Sequence, residues 1–181
     1  QVLIDGLELY YSNKKAGIRA SLKGKAFQLQ GLFSSNSYAL EADCDVMVNE
    51  FFAKQKYVEN SSMTASFSLQ VDSNRFEVKQ SQIVLDQLDF QLSGNVINSP
   101  SSGLDFDVHV VGKNLGLSDL VAVLPDNTRK GFQKFDPKGN ADLNVRITGQ
   151  ASGQSLPDIN IGYKVSNASA SIDTAGFVLK K

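Results

Sequence analysis

The chain has few of the residues that build small chemical sites. Its 181 residues include one cysteine, one histidine and no tryptophan. A single cysteine, Cys44, excludes an internal disulfide, and its place among alternating apolar residues predicts a buried, inert thiol. Any Ser–His–Asp or Cys–His arrangement would have to use His109, and no Gly-x-Ser-x-Gly turn accompanies it. The absence of tryptophan argues against a carbohydrate-binding module. We therefore expect no catalytic residue, and the protein is predicted not to be an enzyme.

An excess of charge and long hydrophobic runs are also missing. The 18 Lys and Arg residues nearly balance the 19 Asp and Glu residues, and the net charge is −1. Because the cations are scattered and form no basic stripe, the sequence argues against a nucleic-acid partner. No stretch approaches the roughly 20 apolar residues of a membrane-crossing helix. The chain begins at Gln1 without an initiator methionine, so we expect an excised segment or a mature product whose anchor lies outside this sequence.

What the chain has in abundance is alternation of apolar and polar residues. The clearest runs are residues 63–71 and 104–110, and the same phase returns in several other segments. A period of two places the apolar side chains on one face of a strand, which no helix could do. Short turn signals separate the runs, so the sequence predicts about ten antiparallel strands in a single β-rich domain over residues 1–181. Residues 50–61 lose the alternation and are predicted to be a loop or a short helix.

One segment breaks the strand pattern. Apolar residues recur at helical spacing before Pro125, and Ser118 stands where a cap is expected, so the sequence predicts one short helix near residues 117–124. Its apolar stripe is predicted to cover one end of the sheet as a lid. The lid residues are Leu117, Leu120, Val121 and Leu124.

The segment after this helix carries cations and two aromatic residues. Residues 129–138 include Phe132 and Phe135 between lysines and an arginine. The sequence predicts a solvated loop with both rings tucked inward, and contact with lipid head groups is the alternative.

Acidic residues with metal-ligating chemistry occur on one strand. Asp105, Asp107 and His109 alternate along the chain and therefore share a face. Same-face neighbours on one strand lie about 6.6 Å apart, which is too far for three ligands of one ion. A similar pair, Asp43 and Asp45, flanks Cys44. We expect solvated polar faces here, with neither a metal nor another cofactor.

The predicted apolar face is too large to remain exposed on a soluble monomer. About ten strands would contribute on the order of 30 inward apolar side chains, whereas exposed patches seldom exceed about 300–600 Å². Two arrangements are open. The sheet folds back as a self-filled sandwich, or it forms a curled, incompletely closed trough that leaves a groove for an acyl chain. The predicted groove lining is Phe67, Leu69, Phe90, Leu92, Phe106, Val108, Val145 and Ile161.

The order of motifs in the second half of the chain resembles a known family. A strand closes on Gly112-Lys113-Asn114-Leu115, a short helix ends in Leu124-Pro125, and a strand opens at Gly139 and closes on Ile147-Thr148-Gly149. Leu156-Pro157 then precedes a last strand. Over roughly residues 83–175 this order resembles the C-terminal region of AsmA-like proteins of the Gram-negative cell envelope.

The resemblance implies architecture and location and supplies no catalytic residue. It implies a periplasm-facing β segment of a membrane-anchored parent protein, related in style to TamB-like and bridge-like lipid transfer proteins. In that group an apolar trough moves phospholipid between membranes and supports outer-membrane homeostasis. The implied partners are phospholipid acyl chains and other envelope proteins. The alternative function is that of a structural or adhesive β-sandwich module that binds protein or glycan at the cell surface.

Overall fold

The described residues form one open antiparallel sheet of ten strands, which confirms the fold predicted from the alternation. The computed structural model describes residues 2–14, 17–33, 37–53, 55–99, 103–151 and 155–171. The strands are β1 (Val2–Ile4), β2 (Glu8–Asn13), β3 (Ile18–Phe33), β4 (Ser37–Ala53), β5 (Gln55–Asp72), β6 (Arg75–Leu85), β7 (Leu88–Ser99), β8 (Gly103–Gly116), β9 (Lys138–Ala151) and β10 (Asp158–Ser169). Two helices, α1 (Leu117–Ala122) and α2 (Asp126–Gln133), lie between β8 and β9.

The strands follow one another across the sheet as a meander. The order is β1-β3-β4-β5-β6-β7-β8-β9-β10, and β2 also pairs with β3. β1 and β2 share the outer side of β3, since β2 pairs with residues 18–23 and β1 with residues 27–29. β10 forms the opposite edge. Extensive strand contacts join only sheet neighbours, so the described residues form an open sheet and not a self-filled sandwich.

The prediction of a loop or helix over residues 50–61 is wrong. β4 continues to Ala53 and β5 begins at Gln55, with Glu50 opposite Glu59 and Phe51 opposite Val58. The register slips next to this segment, and Asn60 has a φ of 53°. A β-bulge adds one residue to a strand and reverses the phase of the side chains beyond it. The strands therefore continue although the apolar alternation is lost.

The helical segment also differs from the prediction. α1 occupies most of the predicted span, but its N-cap is Gly116 and not Ser118. α1 ends at Ala122, before the proline, and Pro125 is the N-cap of a second helix, α2, which the sequence did not predict. Proline is tolerated at a helix start because the donor it lacks would have no partner there, and Asp126 in the first turn suits the helix dipole.

The packed core is small, and part of it lies at one end of the sheet. Among the described residues, nine apolar side chains are buried: Ala42, Val46, Val48, Ala65, Val71, Leu88, Leu115, Val121 and Ala141. α1 contacts β8 and β9, and α2 contacts β5. Leu115 and Ala141 lie opposite each other at the end of the sheet that α1 contacts, and they are 2% and 4% exposed. We call this the helical end. No helix among the described residues is long and apolar enough to cross a bilayer.

Candidate functional site

The strand register shows which side chains share a face. Residues directly opposite each other on antiparallel strands point to the same side of the sheet. One row of such partners crosses eight strands, from β3 to β10, and is apolar throughout. Its members are Phe27, Cys44, Ala65, Ile83, Phe90, Gly112, Leu143 and Tyr163. We call the side of the sheet that carries this row the apolar face.

All the residues predicted to line a groove lie on the apolar face. Leu92, Val145 and Ile161 belong to one row, joined through Val110. Leu69 and Val108 belong to the next row, which passes through Val78 and Gly94. The other three complete the set: Phe90 lies in the row given above, Phe67 opposite Ala42, and Phe106 opposite Val96. The register thus assembles residues of five strands into one continuous surface.

The apolar face is large. Five successive rows are marked on β4 by Tyr38, Leu40, Ala42, Cys44 and Val46. Strands about 4.8 Å apart and same-face residues about 6.7 Å apart give a surface of about 34 by 27 Å, or about 900 Å². This is the footprint of the face and not its exposed area, since Ala42, Ala65 and Val71 on it are only 8%, 4% and 5% exposed. The exposed part is contributed by the larger side chains around them and at the sheet edges, and a partner that removes it from water would be favoured.

Most of the apolar face has no second layer over it in the part of the chain that the structure describes. The residues of β5 to β9 that were predicted to line a groove are half-buried, and their counterparts on β10 are more exposed. Ile159, Ile161 and Tyr163 are 62%, 59% and 76% exposed. At the opposite edge of the sheet, Leu9 and Tyr11 of β2 are also exposed. Apolar side chains thus remain accessible from the middle of the sheet to both edges.

The helices lie at the helical end of the apolar face. Of the four predicted lid residues, Val121 is buried, whereas Leu117, Leu120 and Leu124 are half-buried. α1 contacts β8 and β9, which places these residues at the helical end, and their role as a lid stays a prediction. Phe106 lies ten residues before Gly116 on β8, which places it about 33 Å from the helical end. The far half of the face therefore lies beyond the reach of α1.

Glycines make low points in the apolar face, a feature that the groove prediction did not include. A Cβ at Gly112 would lie 2.5 Å from Cδ1 of Leu115 and 3.1 Å from Cδ1 of Phe90. These two side chains therefore fold over the glycine. At Gly94, where φ is 135°, a Cβ would lie 2.2 Å from the carbonyl oxygen of Asp107. The signal in the sequence is a glycine in the apolar phase of a strand, which typically marks a close approach.

The opposite face of the sheet is polar and is held by cross-strand pairs. The Arg146 guanidinium lies 3.1 Å from an Asp107 carboxylate oxygen, and Nε2 of His109 lies 2.8 Å from Oδ1 of Asn144. The hydroxyl of Ser66 donates to Asp43 over 2.6 Å. Within the described ranges, no group of three or more His, Cys, Asp and Glu side chains could hold a metal ion. These carboxylates act as cross-strand partners.

The only thiol of the chain lies in the apolar face. Cys44 is half-buried between Phe27 of β3 and Ala65 of β5. Burial raises its pKa, and the negative charges of Asp43 and Asp45 add to the increase, while a hydrogen bond from the Ala65 backbone opposes it. The thiol therefore stays protonated at neutral pH and is a poor nucleophile. Its position makes it a natural reporter of whatever covers the face.

Comparison of the chain with protein-family models, with curated proteins and with solved structures found no match.

Proposed function

We propose that this chain is a non-enzymatic segment of an AsmA-like envelope protein whose apolar face binds phospholipid acyl chains during transport between membranes. The observation that carries the proposal is the continuous apolar face, with a footprint of about 900 Å², over which the described residues place no second sheet. Lipid is the partner that such a face suits best, since an acyl chain offers apolar surface without polar groups that need hydrogen bonds.

The energetics of such binding are adequate. Each methylene that leaves water contributes about 0.8 kcal/mol, so ten buried methylenes contribute about 8 kcal/mol. That corresponds to a dissociation constant of about 1 μM before the costs of ordering the chain are subtracted. Binding of this strength holds a lipid and still permits its release. No single side chain is required, because the rows around Leu92 and Val108 act together.

The motifs of residues 83–175 support the AsmA-like part of the proposal, and with it a periplasmic location on a membrane-anchored parent protein. The sheet edges fit the same picture. Among the described residues, no strand pairs with the outer side of β10, and the apolar residues of this strand are exposed. A neighbouring strand of a longer parent protein would pair there and extend the apolar face, which is how an exposed edge is usually satisfied.

The proposal is tested by native mass spectrometry of protein expressed in bacteria, followed by solvent extraction and lipid identification. The informative variant is Ile159→Asp/Ile161→Asp, which places two charges on the apolar face. Both side chains are about 60% exposed, so the substitution removes only about 1 kcal/mol of burial at each position. The matched control, Asn160→Asp/Ser166→Asp, adds the same charge to the polar face of the same strand.

We expect phospholipid at a fixed stoichiometry on the parent protein and on the control, and its loss from the apolar-face variant. A clean apo mass for the parent protein, or equal lipid retention by both variants, would contradict the proposal. Circular dichroism of each variant establishes that the sheet remains folded.

A further inference from the structure

An exposed group of aromatic and basic side chains lies on α2 and on the turn that follows it. Phe132 and Phe135 are 50% and 44% exposed, and Lys130 and Lys134 are exposed as well. The rings are three residues apart and the lysines four, so each pair lies along one side of the helical turn. Lys130 and Phe132 are two residues apart, so the ring pair and the lysine pair lie on different sides of α2. We call these four residues the α2 patch. The prediction of a solvated loop with both rings tucked inward is therefore wrong, since the segment forms a helix and both rings are exposed.

The α2 patch lies in a basic segment of a chain whose total charge is slightly negative. Residues 126–138 contain four cations and two carboxylates, which leaves a net charge of +2 in a chain whose total is −1. The two carboxylates are already paired, Asp126 with Arg129 and Asp136 with Lys138. Lys130 and Lys134 have no carboxylate partner among the described residues. Their charge is therefore available to an external anion.

The location of the patch connects it to the apolar face. α2 contacts β5, and α1 contacts β8 and β9, so the helices span the helical end of the sheet. The backbone N–H of Ser171, which follows β10, donates to the carbonyl of Phe135 over 2.8 Å. The patch is thus fixed to the sheet on more than one side and faces outward at one end of it.

We propose that the α2 patch docks the protein on an anionic phospholipid bilayer. Phenylalanines on one side of a short helix, with lysines on the other side that lack a carboxylate partner among the described residues, are the pattern of a helix that lies at an anionic membrane interface. Docking would bring the helical end of the apolar face to the membrane, where lipid would enter. Only this route of entry rests on the function proposed above, and the docking itself does not.

Vesicle flotation tests the docking. The probes are vesicles of phosphatidylglycerol with phosphatidylcholine and vesicles of phosphatidylcholine alone. We expect the protein to float with the anionic vesicles and to be released by high salt. Each lysine contributes about fivefold to the affinity, so Lys130→Gln/Lys134→Gln should bind about 25-fold more weakly. Phe132→Ser/Phe135→Ser should also lose binding. All four side chains are exposed, so both variants should fold.

Matched controls carry the same changes elsewhere. Lys79→Gln/Lys164→Gln removes two exposed lysines from the sheet, and Tyr10→Ser/Leu156→Ser removes two side chains that are 71% and 87% exposed. Both controls should float like the parent protein. Equal binding to neutral and anionic vesicles, unchanged binding of the α2 patch variants, or equal losses in the controls would overturn the proposal.

Two further readouts separate docking from lipid binding on the sheet. Ile159→Asp/Ile161→Asp should lose copurified lipid and still float with anionic vesicles. The α2 patch variants should keep any lipid bound during expression and fail to float. If instead the Ile159→Asp/Ile161→Asp variant stops floating and the α2 patch variants do not, the apolar face contacts the membrane and the patch has no docking role.

Discussion

Leu88 is the side chain whose removal should reveal where the fold is held together. It is 1% exposed, the lowest value among the large apolar side chains that the structure describes, and lies at the start of β7 opposite Leu85. Leu→Ala substitutions in protein cores cost about 2–5 kcal/mol, because the lost burial is added to a cavity that closes only in part. For a fully buried site paired with Leu85 on β6, we expect a loss of about 3 kcal/mol in the free energy of unfolding.

Urea denaturation followed by circular dichroism measures this loss. With a denaturant dependence of about 2 kcal/mol per molar, the midpoint of Leu88→Ala should fall by about 1.5 M. The control is Leu156→Ala, at a position that is 87% exposed, and its midpoint should move by less than about 0.3 M. Equal midpoints for the two variants would refute the placement of the core beside Leu88. A large loss for Ile161→Ala, at a 59% exposed position, would refute the openness of the apolar face.

Three further predictions concern the backbone, the thiol and the polar face. Gly94→Ala should lower the free energy of unfolding by at least about 2 kcal/mol in the same urea assay, since a Cβ there would lie 2.2 Å from a backbone oxygen. Gly131→Ala should raise it by about 1 kcal/mol, because the glycine lies in α2 with open space around it. The thiolate of Cys44 forms only at high pH because burial raises the pKa of the thiol. Its alkylation by iodoacetamide should therefore be slower in the folded protein than in urea, and the pH dependence of the rate should be displaced to higher pH. An undisplaced pH dependence would contradict the burial of the thiol. Arg146→Gln should change stability by less than about 1 kcal/mol, because its ion pair with Asp107 is exposed, and a larger loss would contradict that assignment.

The strands were predictable because burial on one side of a sheet imposes a period of two. Leu92, Val145 and Ile161 could be assigned to a common face from this period alone, before the pairing of their strands was known. The phase is lost at bulges, and residues 50–61 were misjudged for that reason. A bulge depends on the registers of two neighbouring strands, which local sequence does not record.

The helical segment shows a different limit. The apolar spacing before Pro125 predicted α1, but the same proline also begins α2. A proline that stops one helix can also start another, so its presence alone does not show whether a helix follows. The exposure of Phe132 and Phe135 was likewise missed, because apolar residues in a short polar segment are inward only if the tertiary structure offers them a surface. Whether the sheet would close into a sandwich also depended on curvature and long-range contacts that the pattern of residues leaves open.

Protection of Cys44 by lipid tests the central claim most directly. The thiol is native and lies on the apolar face in the row that also contains Phe90. The measurement is the rate of its alkylation with and without a short-chain phosphatidylcholine below its micelle concentration, in the parent protein and in the Ile159→Asp/Ile161→Asp and Asn160→Asp/Ser166→Asp variants. If acyl chains bind the apolar face, lipid should slow alkylation in a saturable way in the parent protein and the polar-face control, and less in the apolar-face variant. An alkylation rate that lipid leaves unchanged in the parent protein would contradict lipid binding on this face.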